Sequence, residues 1–247
     1  MAQTEIHHLR RIYTTHDLTP DAAVMFEGNA HHYIRNVMRM QPSHMIRVFN
    51  EAQGEFLAEL ETVEKKSASA IIKDHLREPE IVPKLHLYCP MLPKDRFDWV
   101  IEKGTELGMS DLHIISTERS QDKPLKADRI HAQMIEAAEQ SERLTVPALH
   151  DTTPFQDMLG SLTTPLHVAL ERSEKTTSIF EAIAKVDLSG ALACMIGPPG
   201  GWSDAEKTAL CAHKQVIPVS LGPTILRSET AAIYMLTACR AHLDENQ

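Results

Sequence analysis

The rhythm of apolar positions changes near residue 84. Before it, His44–Phe49, Glu55–Glu64 and Ala68–His75 show partial two-residue alternation, the mark of half-buried strands. Asn50–Gly54 joins the first two as a hairpin loop with glycine at its end. A short helix is expected between the early strands, capped by Asn29, with Tyr33, Ile34, Val37 and Met38 as its apolar stripe. Several short strands around one helix predict a small β-barrel domain over residues 1–77. Residues 78–83 (Glu-Pro-Glu-Ile-Val-Pro) form a stiff linker with a proline near each end.

From residue 84 to 247, short continuous apolar runs alternate with stripes of helical period. Strands are expected at 84–89, 111–116, 166–171, 191–196 and 215–221. The first helix spans 95–107, with Phe97, Val100, Ile101 and Leu107 on one face and Gly108 as its stop. The second spans 127–143 with Ile130, Met134, Ala137, Ala138 and Ser141 inward, and a short third lies near 177–185. Ser203-Asp204-Ala205-Glu206 is a capping box that starts a fourth helix. A last helix begins at Ser228 or Glu229 and turns Ile233, Leu236 and Cys239 inward. Near-continuous apolar strands between helices predict an α/β domain with a mostly parallel sheet covered on both faces.

Two of the loops in this second region stand out. Ile196-Gly197-Pro198-Pro199-Gly200-Gly201-Trp202-Ser203 and Leu221-Gly222-Pro223-Thr224-Ile225-Leu226-Arg227-Ser228 each follow an apolar strand and lead into a helix. Loops at the carboxyl ends of parallel strands are where such sheets bind ligands. Glycine there admits close backbone approach and proline stiffens the path. The pair predicts one small-molecule pocket built mainly from backbone.

Composition narrows the class. At 247 residues, 43% hydrophobic and 24% charged, the chain has ordinary globular proportions, and no apolar stretch approaches the ~18 residues of a membrane span. The first residues lack the basic-then-apolar layout of a secretion signal, and the four widely spaced cysteines read as free thiols in a reducing cytoplasm. A net charge of −9 argues against nonspecific coating of nucleic acid. The first fifty residues are the exception, because their five arginines (Arg10, Arg11, Arg35, Arg39 and Arg47) outnumber the acids and six histidines join them. Any polyanion-binding face belongs there.

Several chemistries find no support. The chain has neither the G-x-G-x-x-G dinucleotide fingerprint nor a phosphate-binding P-loop. It lacks H-E-x-x-H and C-x-x-C, so no metal site is expected. A G-x-S-x-G nucleophile elbow is also missing, which leaves hydrolysis without support.

Four segments taken in order carry a more specific signal: Lys103–Gly108, Ala137–Arg143 followed by Val146-Pro147, Ile196–Ser203, and Leu221–Ala231. Together they closely resemble the bacterial ribosomal RNA small-subunit methyltransferase E family, a branch of the SPOUT superfamily. The run His31–Met40 is similar to that family's N-terminal histidine-to-arginine segment, so the resemblance covers nearly the whole chain. It implies methylation of N3 of a uridine in 16S ribosomal RNA with S-adenosylmethionine (S-adenosyl-L-methionine, SAM). It also implies a PUA-like RNA-binding barrel, a SPOUT α/β domain with a deep trefoil knot, and a cytoplasmic homodimer acting on small ribosomal subunits.

By the same resemblance, the cofactor would contact Leu170, Glu171, Ile196, Gly197, Gly200, Gly201, Ser220, Leu221, Gly222 and Leu226. Arg227 is the candidate for stabilising a uridine anion, and Glu229 or a water it orients for removing the N3 proton. Arg10, Arg11, Arg35 and Arg39 are the candidate RNA-phosphate contacts. Two positions depart from the family pattern: Pro199 replaces a glutamate and Thr224 a basic residue. The departures keep open a SPOUT enzyme for another RNA site or a ribose hydroxyl, and an RNA-binding assembly factor with weakened catalysis.

Overall fold

The computed structural model describes residues 6–121, 124–170, 176–186 and 190–246. It divides into two compact units, Met1–Ile81 with Ala138–Val146, and Val82–Ala137 with Pro147–Gln247. The division therefore falls between Ile81 and Val82, inside the proline-bounded segment.

The first unit holds strands β1 (Arg11–Tyr13), β2 (Ala23–Phe26), β3 (Met45–Asn50), β4 (Gly54–Val63) and β5 (Ala68–Arg77) in one sheet of order β1-β3-β4-β5-β2. Alternation along β3 and β4 sends Ile46, Val48, Phe56, Ala58 and Leu60 into a core shared with Ile12, Val24, Phe26 and Ile72. Gly54 makes the hairpin possible, since its φ is +86° and an added Cβ would collide with the Arg77 carbonyl. The expected helix is shorter than its stripe implied. Helix α1 (Gly28–His32) starts after Glu27, with Asn29 inside it, and runs into a π-turn over Tyr33–Val37. The wider turn leaves Ile34 buried but swings Val37 to 56% exposure.

Residues 138–143 were expected as the end of a helix in the α/β domain. Helix α3 (Ala127–Gln140, following α2 at Lys94–Glu106) instead stops at Gln140, and Glu142 takes a left-handed φ of 58°. The Glu142 carboxylate accepts from Arg47 at 2.6 Å and its carbonyl from Arg77 at 2.8 Å. Ser141, expected inward, is exposed, whereas Ala138 and Leu144 pack on Phe49.

The second unit contains a seven-stranded sheet whose recorded strand pairs are all parallel. Its strands are β6 (Leu85–Pro90), β7 (Asp111–Ser116), β8 (Ala148–Pro154), β9 (Leu166–Ala169), β10 (Thr177–Ser178), β11 (Leu192–Met195) and β12 (Val216–Ser220), in the order β10-β12-β9-β11-β6-β7-β8. The remaining helices are α4 (Phe155–Ser161), α5 (Ile179–Ile183), α6 (Asp204–Ala212) and α7 (Ser228–Glu245). Leu166, Val168, Ala193 and Met195 pack with Phe155, Met158, Trp202 and Leu210. Strands β8 and β10 were not expected. The first has polar Ala-Leu-His-Asp-Thr-Thr-Pro in place of an apolar run, and the second is two residues long; both are edge strands.

Candidate active site

Strands β12, β9 and β11 are neighbours, so the loops leaving their carboxyl ends lie side by side. Each loop is held by local chemistry. After β11, Gly201 closes a turn at φ +69°, donating to the Pro198 carbonyl at 2.8 Å. Trp202 is 5% exposed and its indole N–H donates to the Ala169 carbonyl at 3.2 Å, tying this loop to β9. Gly197 lies against the same ring: a Cβ there would come within 2.9 Å of Trp202 Nε1. Ser203 and Glu206 complete the expected capping box, and the second Glu206 oxygen accepts from the Glu118 N–H at 2.8 Å. After β12, Gly222 adopts φ +110°, and its N–H donates to Ser220 Oγ at 3.3 Å. Ser228 Oγ donates to the Gly197 carbonyl at 2.9 Å, which joins the start of α7 to the β11 loop.

These loops enclose a cavity of about 820 Å³, within the usual range for small-molecule sites. Leu170, Gly197, Gly201, Ser220, Leu221, Gly222 and Leu226, all expected at a cofactor, line it. Ile196 is fully buried behind the wall and Gly200 is exposed outside it, where its carbonyl accepts from Arg119 at 3.2 Å. Glu171 lies outside the described residues.

The sequence reading missed several lining groups, among them Thr176, Trp202, Lys207, Cys211 and Ser228. Lys207 is the one charged side chain among the described lining residues. Its position follows from the capping box, since the fourth residue after Ser203 returns to the same helix face. Of the two departures, Thr224 lines the cavity, whereas Pro199 is exposed and does not.

The walls suit an adenosyl group: apolar Leu170, Val219, Leu221 and Leu226 face a space edged by main chain. Two glycines there occupy conformations that other residues rarely adopt, at +69° and +110°. The deep thiols do not supply a nucleophile. A hydrogen bond to Cys239, followed by burial, raises the Cys194 thiol well above its ordinary value, and burial raises that of Cys89.

Arg227 is exposed and sits at the N-cap of α7, between cavity-lining Leu226 and Ser228. Glu229 is 8% exposed; its Oε1 lies 3.6 Å from Arg96 Nε, and its Oε2 has no hydrogen-bond partner among the described residues.

The candidate RNA contacts separate. Arg10 and Arg39 are exposed, and Arg35 is half-buried with Nη1 donating to the Glu64 carbonyl at 2.7 Å. Arg11 corrects the expectation. It is 5% exposed, pairs with Glu55 at 2.5 Å, donates to the Ala138 carbonyl at 2.8 Å and lies over the Phe49 ring. Sequence showed a charge but not the buried carboxylate that claims it.

One unit holds a parallel sheet with a glycine-loop cavity and the other carries exposed arginines, and comparison with known proteins puts this combination among the two-domain RNA methyltransferases. The family model of the RNA methyltransferase domain matches residues 79–240, and that of the RNA methyltransferase PUA domain matches 26–73. The chain is similar to ribosomal RNA small subunit methyltransferase E of Rickettsia conorii, 30% identical over 95% of this chain and 98% of that one. The Bacillus subtilis protein of the same name is 35% identical, covering 85% and 87%. Among solved structures, a Legionella pneumophila methyltransferase with bound SAM matches at TM-score 0.86 and 28% identity, covering 95% of this chain and 98% of that one. The Neisseria gonorrhoeae methyltransferase E bound to SAM matches at 0.80 and 27%, with the same coverage. The chain belongs to the ribosomal RNA small subunit methyltransferase E family.

Proposed function

We propose that this protein transfers the methyl group of SAM to N3 of a uridine in 16S ribosomal RNA of the small subunit. The observation that carries the reading is the 820 Å³ cavity between the loops after β9, β11 and β12, with apolar walls and main-chain edges. Leu170, Gly197, Gly201, Ser220, Leu221, Gly222 and Leu226 would hold the cofactor, with Ile196 behind them and Gly200 at the margin; Glu171, which follows Leu170 in the chain, is proposed as a further contact. Bound SAM supplies a methyl group on a sulfonium whose departure leaves a neutral thioether.

The protein's own task is to position the base and manage one proton. Formation of the N3–methyl bond requires loss of the N3 proton, and the negative charge spreads onto the flanking carbonyls. Arg227 is the residue assigned to stabilise that charge, since it is exposed between two cavity-lining residues. Glu229, with an oxygen lacking a hydrogen bond among the described residues, is assigned as proton acceptor, directly or through water. Arg10, Arg35 and Arg39 would hold RNA phosphates, and cytoplasmic ribosomal subunits would be the partner.

Two further features belong to this reading. The three loops would be threaded as the SPOUT trefoil knot, which brings chain ends from non-consecutive strands around one cofactor. A second copy would cover the apolar hollow formed by Phe180, Ile233 and Tyr234 with Thr230, Thr237 and Ala241. Phe180 and Tyr234 are 54% and 37% exposed there, a surface that water disfavours.

The decisive experiment supplies labelled SAM and isolated small ribosomal subunits, then maps the modified nucleotide by mass spectrometry. One methylated uridine N3 is expected; label on a ribose hydroxyl, or none, overturns the reading. In single-turnover assays Arg227→Ala is expected to lose about 10²–10³ in rate while calorimetry finds SAM affinity unchanged. A near-normal rate removes Arg227 from the chemistry.

A further inference from the structure

Away from the loop cavity, at the opposite edge of the same sheet, three strands bring imidazoles and a carboxylate to one face. Alternation places His86 and Tyr88 of β6 on that face, and Asp111 and His113 of β7 beside them. The ladder registers His86 with Asp111, Tyr88 with His113, and His113 with His150 of β8. His86 Nδ1 lies 3.0 Å from His113 Nε2, and His86 Nε2 lies 3.4 Å from Asp111 Oδ2. His150 Nε2 lies 2.8 Å from the other Asp111 oxygen. The His113 ring stacks on His150 at 4.0 Å and on Tyr88 at 4.3 Å.

We propose that His86, Asp111 and His113 form a binding site for a divalent transition-metal ion of the zinc type, with His150 orienting the carboxylate. One donor atom from each of the three ligands can be chosen so that all lie within 4.8 Å of one another. A tetrahedral zinc ion with ligands at about 2.1 Å needs donor separations of about 3.4 Å. Small side-chain rotations close the difference, and His86 and Asp111 are 20% and 19% exposed, which leaves room and a way in.

Two observations point to a cation rather than a plain hydrogen-bonded cluster. His86 Nε2 is buried with no hydrogen-bond partner among the described residues, a state that is costly unless something fills it. The Asp111–His150 contact is the kind of outer hydrogen bond that orients a ligating carboxylate, and the second Asp111 oxygen, which accepts from Ser110 Oγ at 2.8 Å, retains a lone pair for the ion. The β7–β8 ladder is also irregular between His113 and Ile115, and such irregularities re-aim side chains.

The site has a physical use. Edge strand β8 is mostly exposed and polar, so little apolar burial fastens it. An ion held by β6 and β7, with His150 as outer partner, would staple the three outermost strands. No short motif announces the site, because its residues come from strands far apart in the chain.

The test uses the full-length protein after chelator treatment, with zinc chloride as probe. Calorimetry is expected to find one site per chain, and Asp111→Asn and His113→Gln are each expected to weaken it at least about tenfold. Zinc should raise the Tm of the unaltered protein and not that of the variants. Should a variant fail to fold, imidazole NMR of the unaltered chain decides: zinc must shift the His86 and His113 signals. No binding, undiminished binding in folded variants, or shifts confined to other histidines overturns the proposal.

Discussion

Glu55 is a charged residue with almost no contact with water, 1% exposed on β4. Arg11 pairs with one of its oxygens at 2.5 Å, and Arg47 and Arg77 approach within 3.7 and 3.6 Å. A carboxylate among three guanidiniums is tolerable because each charge has a partner; alone, any of them would carry a large desolvation cost. Glu55→Ala is therefore expected to destabilise the protein by about 3–5 kcal/mol, read from urea unfolding of the purified variant. A loss below 1 kcal/mol would show that the arginines re-solvate freely.

Glu142 answers to the same group. The Arg47 hydrogen bond, outweighing partial burial, holds its carboxyl below the usual carboxylate range. A folded-state value lowered in this way stabilises the protein above the unfolded value of about 4.3, and the gain disappears as pH falls through the folded value. The acid limb of a stability–pH profile should be flatter for Glu142→Gln below about pH 4.3. Both effects lie in side chains that sequence marks only as charged. Arg11 and Arg10 are adjacent and chemically identical, yet one is a buried anchor and the other faces solvent.

At the scale of elements, caps and turns were legible where the chemistry is local. Ser203 and Glu206 satisfy each other's backbone donors within four residues, so the capping box is written in the chain itself. Ser203→Ala is expected to cost about 1 kcal/mol and to weaken SAM binding as well, because α6 carries Lys207 and Cys211 into the cavity. Thermal melts and calorimetry measure the two effects; retained affinity with lowered stability would separate the cap from the site. The end of α3 was not legible. Gln140-Ser141-Glu142 has no glycine or proline, and the helix stops because distant Arg47 and Arg77 bind Glu142. The stripe around Val37 misled for a related reason, since a π-turn shifts the face that a 3.6-residue period assigns.

For the whole molecule, the exposed aromatic hollow on α5 and α7 sets the prediction. If a second copy covers it, Tyr234→Glu should convert a dimer to a monomer in sedimentation while circular dichroism stays unchanged. A monomer already present in the unaltered protein would remove the dimer from the proposed function. The thiols of Cys89 on β6, Cys194 on β11 and Cys239 on α7 are buried, while Cys211 is exposed. Among the described residues, no helix is long and apolar enough to cross a membrane.

The sequence alone determined the α/β alternation after residue 84, the glycine bends that carry the cavity, and the family signature. Each depends on interactions within a few residues or on backbone conformations only glycine readily takes. Tertiary structure decided the fate of Arg11, the reassignment of residues 138–146, the edge strand at 148–154 and the convergence of His86, Asp111 and His113. In each of those cases the deciding partner lies at least 25 positions away along the chain, as in the pairing of His86 with Asp111. A period or local motif carries no information about which distant charge, ring or strand will arrive beside it.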